Sequence, residues 1–108
     1  MSSGELKIQT ILEDAKIPYV YNYVIPEFSK SSPFDFAILD EYDNIIRLIE
    51  FDGEQHYKPV QRFGGEEDFI KQQQYDANKN KYCEEHHIDL KRIPYWDFDK
   101  LTVDYLLS

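Results

Sequence analysis

The sequence is poor in several features that would each have defined a class of protein. Cys83 is the only cysteine among 108 residues, so one chain can form neither an internal disulfide nor a zinc site made of cysteine ligands. No apolar run is long enough to cross a bilayer, and Met1-Ser2-Ser3-Gly4-Glu5 lacks the basic and apolar regions of a secretion signal. We therefore expect a soluble intracellular protein.

Positive charge is also scarce. Twelve Lys and Arg residues face 21 Asp and Glu residues, which gives a formal net charge of -9. Binding DNA by charge alone needs many basic side chains near the phosphates. We expect weak DNA binding by this chain alone, with divalent ions neutralising clustered carboxylates and another domain or partner subunit supplying affinity.

Apolar residues are plentiful. The chain is 42% hydrophobic and 16% aromatic, which is enough to build a core and argues against disorder. It has no internal repeat, linker or low-complexity tract, so that a single domain spanning 1–108 is the economical division.

The spacing of apolar residues and breakers predicts an α-β-β-β-α-β-α order. We expect strands over 19–25, 34–39, 45–51 and 88–94, and helices over 5–16, over 66–87 and from an Asp97 cap to about 107. In the long helix, the residues near successive turns are Phe69, Ile70, Gln73, Ala77, Asn80, Lys81 and Glu84. The result is an α/β fold with a mixed sheet of about four strands and helices packed on it.

Acidic residues interrupt the apolar strands. Asp35 and Glu50 lie in strands two and three, where burying an unpaired charge costs on the order of several kcal/mol. If these strands pair through a turn near Asp43, the two carboxylates lie opposite each other. Their repulsion is relieved by a proton or by a hard divalent cation such as Mg²⁺.

Two more residues extend this group. Asp52 follows Glu50 by two positions and so points to the same side of the strand. His56 lies just beyond and can accept a proton from water near neutral pH. A metal and a base together predict a site that hydrolyses phosphodiesters.

Two segments resemble the nuclease core of the PD-(D/E)XK superfamily. They are Phe34-Asp35-Phe36-Ala37 and Leu48-Ile49-Glu50-Phe51-Asp52-Gly53-Glu54-Gln55-His56-Tyr57. The likeness is greatest to the very-short-patch-repair endonucleases and the EDxHD homing endonucleases of phages, and it continues through 74–83 and 88–95. It implies a restriction-endonuclease-like three-layer core and a DNA endonuclease that uses Mg²⁺, or Mn²⁺ in its place, in the cytoplasm of a bacterial or phage-infected cell.

The resemblance also implies roles for individual residues. Asp35 is matched to the strand aspartate that holds metal, and Glu50 and Asp52 complete or surround the metal site. His56 is matched to a catalytic histidine, and Glu5 to a glutamate that relatives place on the first helix near the metals.

One departure from the superfamily pattern affects catalysis. Asp52 stands where the motif has lysine two residues after the acid. Gln55, His56 and Lys79 are the candidates to replace that lysine. Asp76 lies one helical turn before Lys79, and the two are either an intrahelical ion pair or part of the active-site lining.

Two hypotheses follow. In the first, the chain cleaves DNA, acting as a homodimer or with a separate recognition domain, and Lys58, Arg62 and Lys71 are candidates to contact the backbone; RNA remains open as a substrate. In the second, the chain keeps the nuclease fold without strong catalysis and binds a protein partner or regulates a larger nucleic-acid enzyme. The acidic balance and the missing lysine favour the second.

Overall fold

A computed structural model of the protein describes residues 1–28 and 32–108. Helix α1 (Ser3–Asp14) begins with a capping box, in which the Ser2 hydroxyl accepts a hydrogen bond from the Glu5 N–H at 3.1 Å and the Glu5 carboxylate accepts one from the Ser2 N–H at 3.4 Å. Such reciprocal bonds satisfy two backbone donors that a helix start leaves free.

Four strands form one mixed sheet. In spatial order they are β1 (Tyr19–Tyr23), β2 (Phe34–Leu39), β3 (Ile45–Asp52) and β4 (Leu90–Pro94), with antiparallel β1–β2 and β2–β3 pairs and a parallel β3–β4 pair. The tight β2–β3 turn is held by Asp40, whose Oδ1 accepts hydrogen bonds from the Tyr42 and Asn44 N–H groups at 2.8 Å and 2.9 Å. Aspartate commonly stabilises turns in this way.

The crossover between the parallel strands is long. Two 3-10 turns, Glu54–His56 and Gln61–Phe63, lead into helix α2 (Gly65–Glu85), which returns the chain to β4. After β4 a 3-10 segment, Tyr95–Lys100, precedes helix α3 (Val103–Leu107).

The cap of the last helix differs from the prediction. Thr102, whose hydroxyl accepts a hydrogen bond from the Tyr105 N–H at 3.1 Å, caps α3. Asp97 instead accepts a hydrogen bond from the Tyr105 hydroxyl at 2.6 Å. The expected Asp97 cap was therefore wrong, because the chain makes a 3-10 segment before the helix starts.

Helices cover both faces of the sheet. On one face, α1 and α3 pack against three strands in a cluster formed by Ile8, Leu12, Phe36, Ile38, Ile49, Ile93, Leu101 and Leu106. On the other face, α2 packs against β2 and β3 in a cluster formed by Ile25, Phe34, Ala37, Leu48 and Cys83. Phe34 and Phe36 belong to different clusters, so that side-chain alternation is broken next to Asp35.

The predicted α/β fold with a four-stranded mixed sheet is confirmed, and the helices and strands follow the expected order. The finer assignment to a restriction-endonuclease-like core stays a prediction. The predicted long helix is present as α2, and its buried residues are Lys79 and Cys83. Across residues 1–28 and 32–108, no helix has both the length and the apolar character needed to cross a membrane.

Candidate active site

The Asp35–Glu50 pair lies where β2 begins and β3 approaches its end. Phe36 faces Ile49 in the β2–β3 register, which brings Asp35 opposite Glu50. This is the arrangement predicted for two strands that pair through a turn near Asp43. The Asp35 N–H donates to Glu50 Oε1 at 3.2 Å, and the Phe51 N–H donates to Asp35 Oδ2 at 2.7 Å.

Burial and like charge shift the titration of this pair. Desolvation and the nearby Glu50 carboxylate raise the pKa of Asp35 to about 7, against the opposing effect of the Phe51 N–H. Burial also raises the pKa of Glu50, which is 3% exposed, although Lys79 opposes that shift. Near neutral pH the pair therefore resists holding two negative charges without a cation.

Lys79 brings a positive charge to the pair from α2. Its side chain is buried at 4% exposure, and its Nζ donates to Glu50 Oε1 and to the Pro33 carbonyl oxygen, each at 3.0 Å. A buried ion pair of this kind repays its desolvation only when its remaining donors find acceptors. Lys79 thus stands beside the acid of β3, as the sequence analysis suggested for a substitute lysine.

Glu5 approaches the pair from the first helix. The Tyr21 hydroxyl donates to Glu5 Oε1 at 2.9 Å, and the Glu5 charge contributes to the raised pKa of Asp35. The helix comes this close because Gly4 has no side chain, since a Cβ there would meet the Phe51 ring at 2.3 Å.

Asp52 is buried as deeply as Glu50 but has a different partner. Arg92, on β4, places Nη1 at 3.0 Å and 3.1 Å from the two oxygens of Asp52. The same guanidinium donates through Nε to Asn80 Oδ1 at 2.7 Å. Burial raises the pKa of Asp52, while Arg92 and His56 oppose the shift.

His56 is oriented by Asp76 on α2. His56 Nδ1 lies 2.9 Å from Asp76 Oδ2 and 3.4 Å from Asp52 Oδ1. Burial lowers the pKa of His56, but the bond to Asp76 and the neighbouring carboxylates outweigh it and raise the pKa above the usual value. Burial likewise raises the pKa of Asp76, and His56 reverses that effect to leave it lowered.

Asp52, His56 and Asp76 form a group that could hold a metal ion, because one ligand atom from each lies within 4.8 Å of the other two. We call these residues the His56 cluster. Within the part of the chain that the structure describes, Asp35, Glu50 and Asp52 do not form such a group. The assignment of Asp35, Glu50 and Asp52 as one metal-binding set stays a prediction.

The Asp35–Glu50 pair and the His56 cluster differ in the atoms that remain free to bind a metal ion. Asp35 Oδ1 and Glu50 Oε2 accept no hydrogen bond from the described residues, and both belong to carboxylates that repel each other. Two oxygen donors of this kind fit Mg²⁺ or Mn²⁺. The His56 cluster mixes nitrogen and oxygen, and Arg92 already neutralises its acids.

Sequence reasoning left Asp76 undecided and did not assign Arg92 a definite partner. The sequence does contain a pattern that could have placed Asp76 in the site. The three- and four-residue spacing of a single helix face connects Gln72, Asp76, Lys79 and Cys83. The contacts of Arg92 depend on the parallel β3–β4 pairing. Gln55, another candidate to replace the lysine, lines a cavity next to His56, and the described contacts do not link it to Glu50.

Comparison with known proteins adds one similarity. No family model matches the chain, and no solved structure matches it. The chain is similar to uncharacterized protein 307L of Invertebrate iridescent virus 6, with 30% identity over 87 residues. The match covers 72% of this chain and 44% of the viral protein, so the chain spans less than half the length of that relative.

Proposed function

We propose that this chain is a metal-dependent endonuclease that hydrolyses the phosphodiester bonds of DNA. The observation that carries the proposal is the Asp35–Glu50 pair, two desolvated carboxylates side by side with a buried lysine next to them. Like charges in such surroundings favour a divalent cation, and divalent cations are the common means of phosphodiester hydrolysis in proteins.

In this proposal Asp35 and Glu50 hold Mg²⁺, for which Mn²⁺ can substitute. The bound ion would polarise a phosphate oxygen and stabilise the charge on the leaving oxygen. Lys79 orients Glu50 through its 3.0 Å contact and supplies the positive charge that the motif position lacks. Glu5 and Asp52 border the site and complete its negative field.

His56 is the proposed general base. Because Nδ1 is directed to Asp76 at 2.9 Å, the other ring nitrogen is left to take a proton from the attacking water. Asp76 is a positioning residue that orients the ring and stabilises its protonated form. Raising the pKa of His56 makes it a stronger base once it is neutral.

Purified protein incubated with supercoiled plasmid and Mg²⁺ tests this function. We expect nicking that is lost in Asp35→Asn and in Glu50→Gln and retained in Glu41→Gln, a matched loss of one charge at the exposed β2–β3 turn. Nicking that is equally strong in the Asp35 and Glu50 variants would contradict the proposal.

A second function is favoured by a specific observation. Lys79 pairs with Glu50, and Arg92 pairs with Asp52, so the chain already neutralises much of its own site. These internal ion pairs would hold the acids in a stable fold without a metal ion. Such a nuclease-fold module would bind a protein partner or regulate a larger nucleic-acid enzyme. Absence of cleavage with every divalent ion tested, on DNA and RNA, would select this function.

A further inference from the structure

A cavity of about 350 Å³ opens between the loop after β3 and the first turns of α2. Its wall includes three aromatic side chains, Phe63, Phe69 and Tyr75. Phe63 and Tyr75 remain 45% and 41% exposed, so packing of the core does not explain them. Concave spaces of about 300–1,000 Å³ that combine aromatic walls with a few polar groups are typical of ligand sites.

The same wall carries positive charge and amide groups. Lys58 and Lys71 line it, together with Gln55 and Gln72. Lys58 pairs with Glu54 at 2.9 Å, but its side chain is exposed and such pairs are weak. Lysine attracts phosphate, and glutamine amides can both donate to and accept from the edge of a base.

The cavity wall is connected to the proposed general base. Gln72 donates through Nε2 to Asp76 Oδ1 at 3.0 Å, and Asp76 in turn orients His56. Gln55 directly precedes His56 in the sequence and also lines the cavity. Two residues of the cavity wall are therefore connected to the His56–Asp76 pair, Gln55 through the chain and Gln72 through a hydrogen bond.

A free phosphate or another small anion does not suit this space. Glu66, Glu67 and Asp68 occupy the first turn of α2, and Asp68 belongs to the cavity wall. Their charge opposes an anion that offers nothing else for recognition. A ligand with an aromatic ring suits the wall better, because stacking does not depend on charge.

We propose that this cavity binds one unpaired nucleotide of the substrate strand, next to the phosphodiester that is cleaved. The inference rests on the proposed function and narrows its substrate to single-stranded or locally opened nucleic acid. A base within a duplex keeps both faces stacked on its neighbours and cannot enter. An unpaired base can stack on Phe63 or Tyr75 while its phosphate meets Lys58 or Lys71.

Fluorescence anisotropy tests the inference without cleavage. Labelled oligothymidylate, oligouridylate and a duplex of equal length are titrated with the protein in EDTA. We expect the single strands to bind more tightly than the duplex, and Phe63→Ala or Tyr75→Ala to weaken single-strand binding about tenfold. The thymidylate and uridylate arms distinguish DNA from RNA.

Matched variants control for the loss of an exposed ring or charge. Tyr42→Ala removes a ring at the β2–β3 turn and Lys81→Ala removes a charge from α2, both outside the cavity wall, and neither should change binding. Lys71→Ala should weaken it. Thermal unfolding of each variant confirms that Phe63→Ala and Tyr75→Ala leave the fold intact.

Separate outcomes apply to the inference and to the proposed function. Single-strand binding that is unchanged in Phe63→Ala and Tyr75→Ala, that falls equally in Tyr42→Ala, or that cannot be detected overturns the inference, even if the plasmid is nicked. Tighter binding of the duplex also overturns it. Cavity-dependent binding without cleavage by any divalent ion supports the site as a nucleotide-binding one and removes the hydrolytic function.

Discussion

Glu50 and Asp52 are two carboxylates of one strand, equally buried at 3% exposure, yet their surroundings differ. Glu50 shares one oxygen with the Lys79 ammonium and lies opposite a second acid, Asp35. Asp52 offers both oxygens to the Arg92 guanidinium and lies beside His56. The strand therefore carries two kinds of acidic site within two residues.

The difference indicates that the two acids have separate roles. A point-like ammonium leaves Glu50 with an oxygen free to take a second cation, whereas Arg92 Nη1 contacts both oxygens of Asp52. We therefore assign cation binding to the Asp35–Glu50 pair and proton transfer to the His56 cluster.

The largest effects are expected at Asp35 and His56. His56→Ala should lower nicking about 100-fold or more, because a general base is lost, while Mn²⁺ binding persists. Asp35→Asn should lose both nicking and Mn²⁺ binding. Parallel nicking assays and calorimetric Mn²⁺ titrations of the two variants give the comparison. If His56→Ala also abolished Mn²⁺ binding, the assigned division would be wrong.

The pH dependence of nicking in an Asp76 variant tests whether Asp76 raises the pKa of His56. A base must be neutral, so nicking should increase as pH rises through the pKa of His56. Asp76→Asn removes a bond that raises this pKa, so that the rising limb of the pH profile should move to lower pH. A lower nicking rate with an unchanged midpoint of the rising limb would show that Asp76 acts without affecting the titration of His56.

Removing either cation should destabilise the fold. Lys79→Met and Arg92→Met each remove the strongest cation partner of a buried carboxylate. Urea unfolding should show that the free energy of unfolding falls by about 3 kcal/mol in Lys79→Met, and by less in Arg92→Met, because His56 still lies 3.4 Å from Asp52. Mg²⁺ should restore part of the stability of Lys79→Met, since Glu50 can pair with it instead. Equal restoration of Arg92→Met by Mg²⁺ would remove the contrast between the two acids.

A smaller effect is expected from pH. The folded-state pKa of Asp35, about 7, lies above the unfolded value of about 4, so the folded state holds the proton longer. Without metal, this carboxyl therefore costs stability progressively as pH rises from about 4 to about 7, and fully above that window.

Asp35→Asn should remove this pH-dependent cost. Asparagine resembles the protonated acid and can still accept from the Phe51 N–H. Melting temperatures of the two proteins in EDTA should therefore show the variant gaining on the original chain between pH 5 and pH 8. A constant difference across that range would mean that Asp35 titrates as an ordinary carboxyl.

The sequence predicted those parts of the site that depend on local geometry. Asp35 and Glu50 flank a tight turn, and hairpin pairing alone brings them opposite each other. The helices and strands were also predictable, because their apolar periods are regular. Boundaries such as the Asp97 cap were not, since a 3-10 segment and an α-helix have similar local sequence patterns.

The remaining contacts depend on how distant elements dock. Arg92 reaches Asp52 only after β4 joins β3 in parallel, and His56 meets Asp76 only for one rotation of α2. Apolar character alone does not identify the buried face of α2, because Ile70 is exposed whereas Lys79 is buried. Polar side chains at helical spacing marked the inner face instead.

The position of a bound ion shows directly whether the Asp35–Glu50 pair holds the metal. Anomalous diffraction at the manganese edge, from crystals soaked in Mn²⁺, should show a peak that contacts Asp35 and Glu50 and that disappears in Asp35→Asn. A peak confined to Asp52, His56 and Asp76, or no peak at all, would contradict the assignment of the Asp35–Glu50 pair as the metal site.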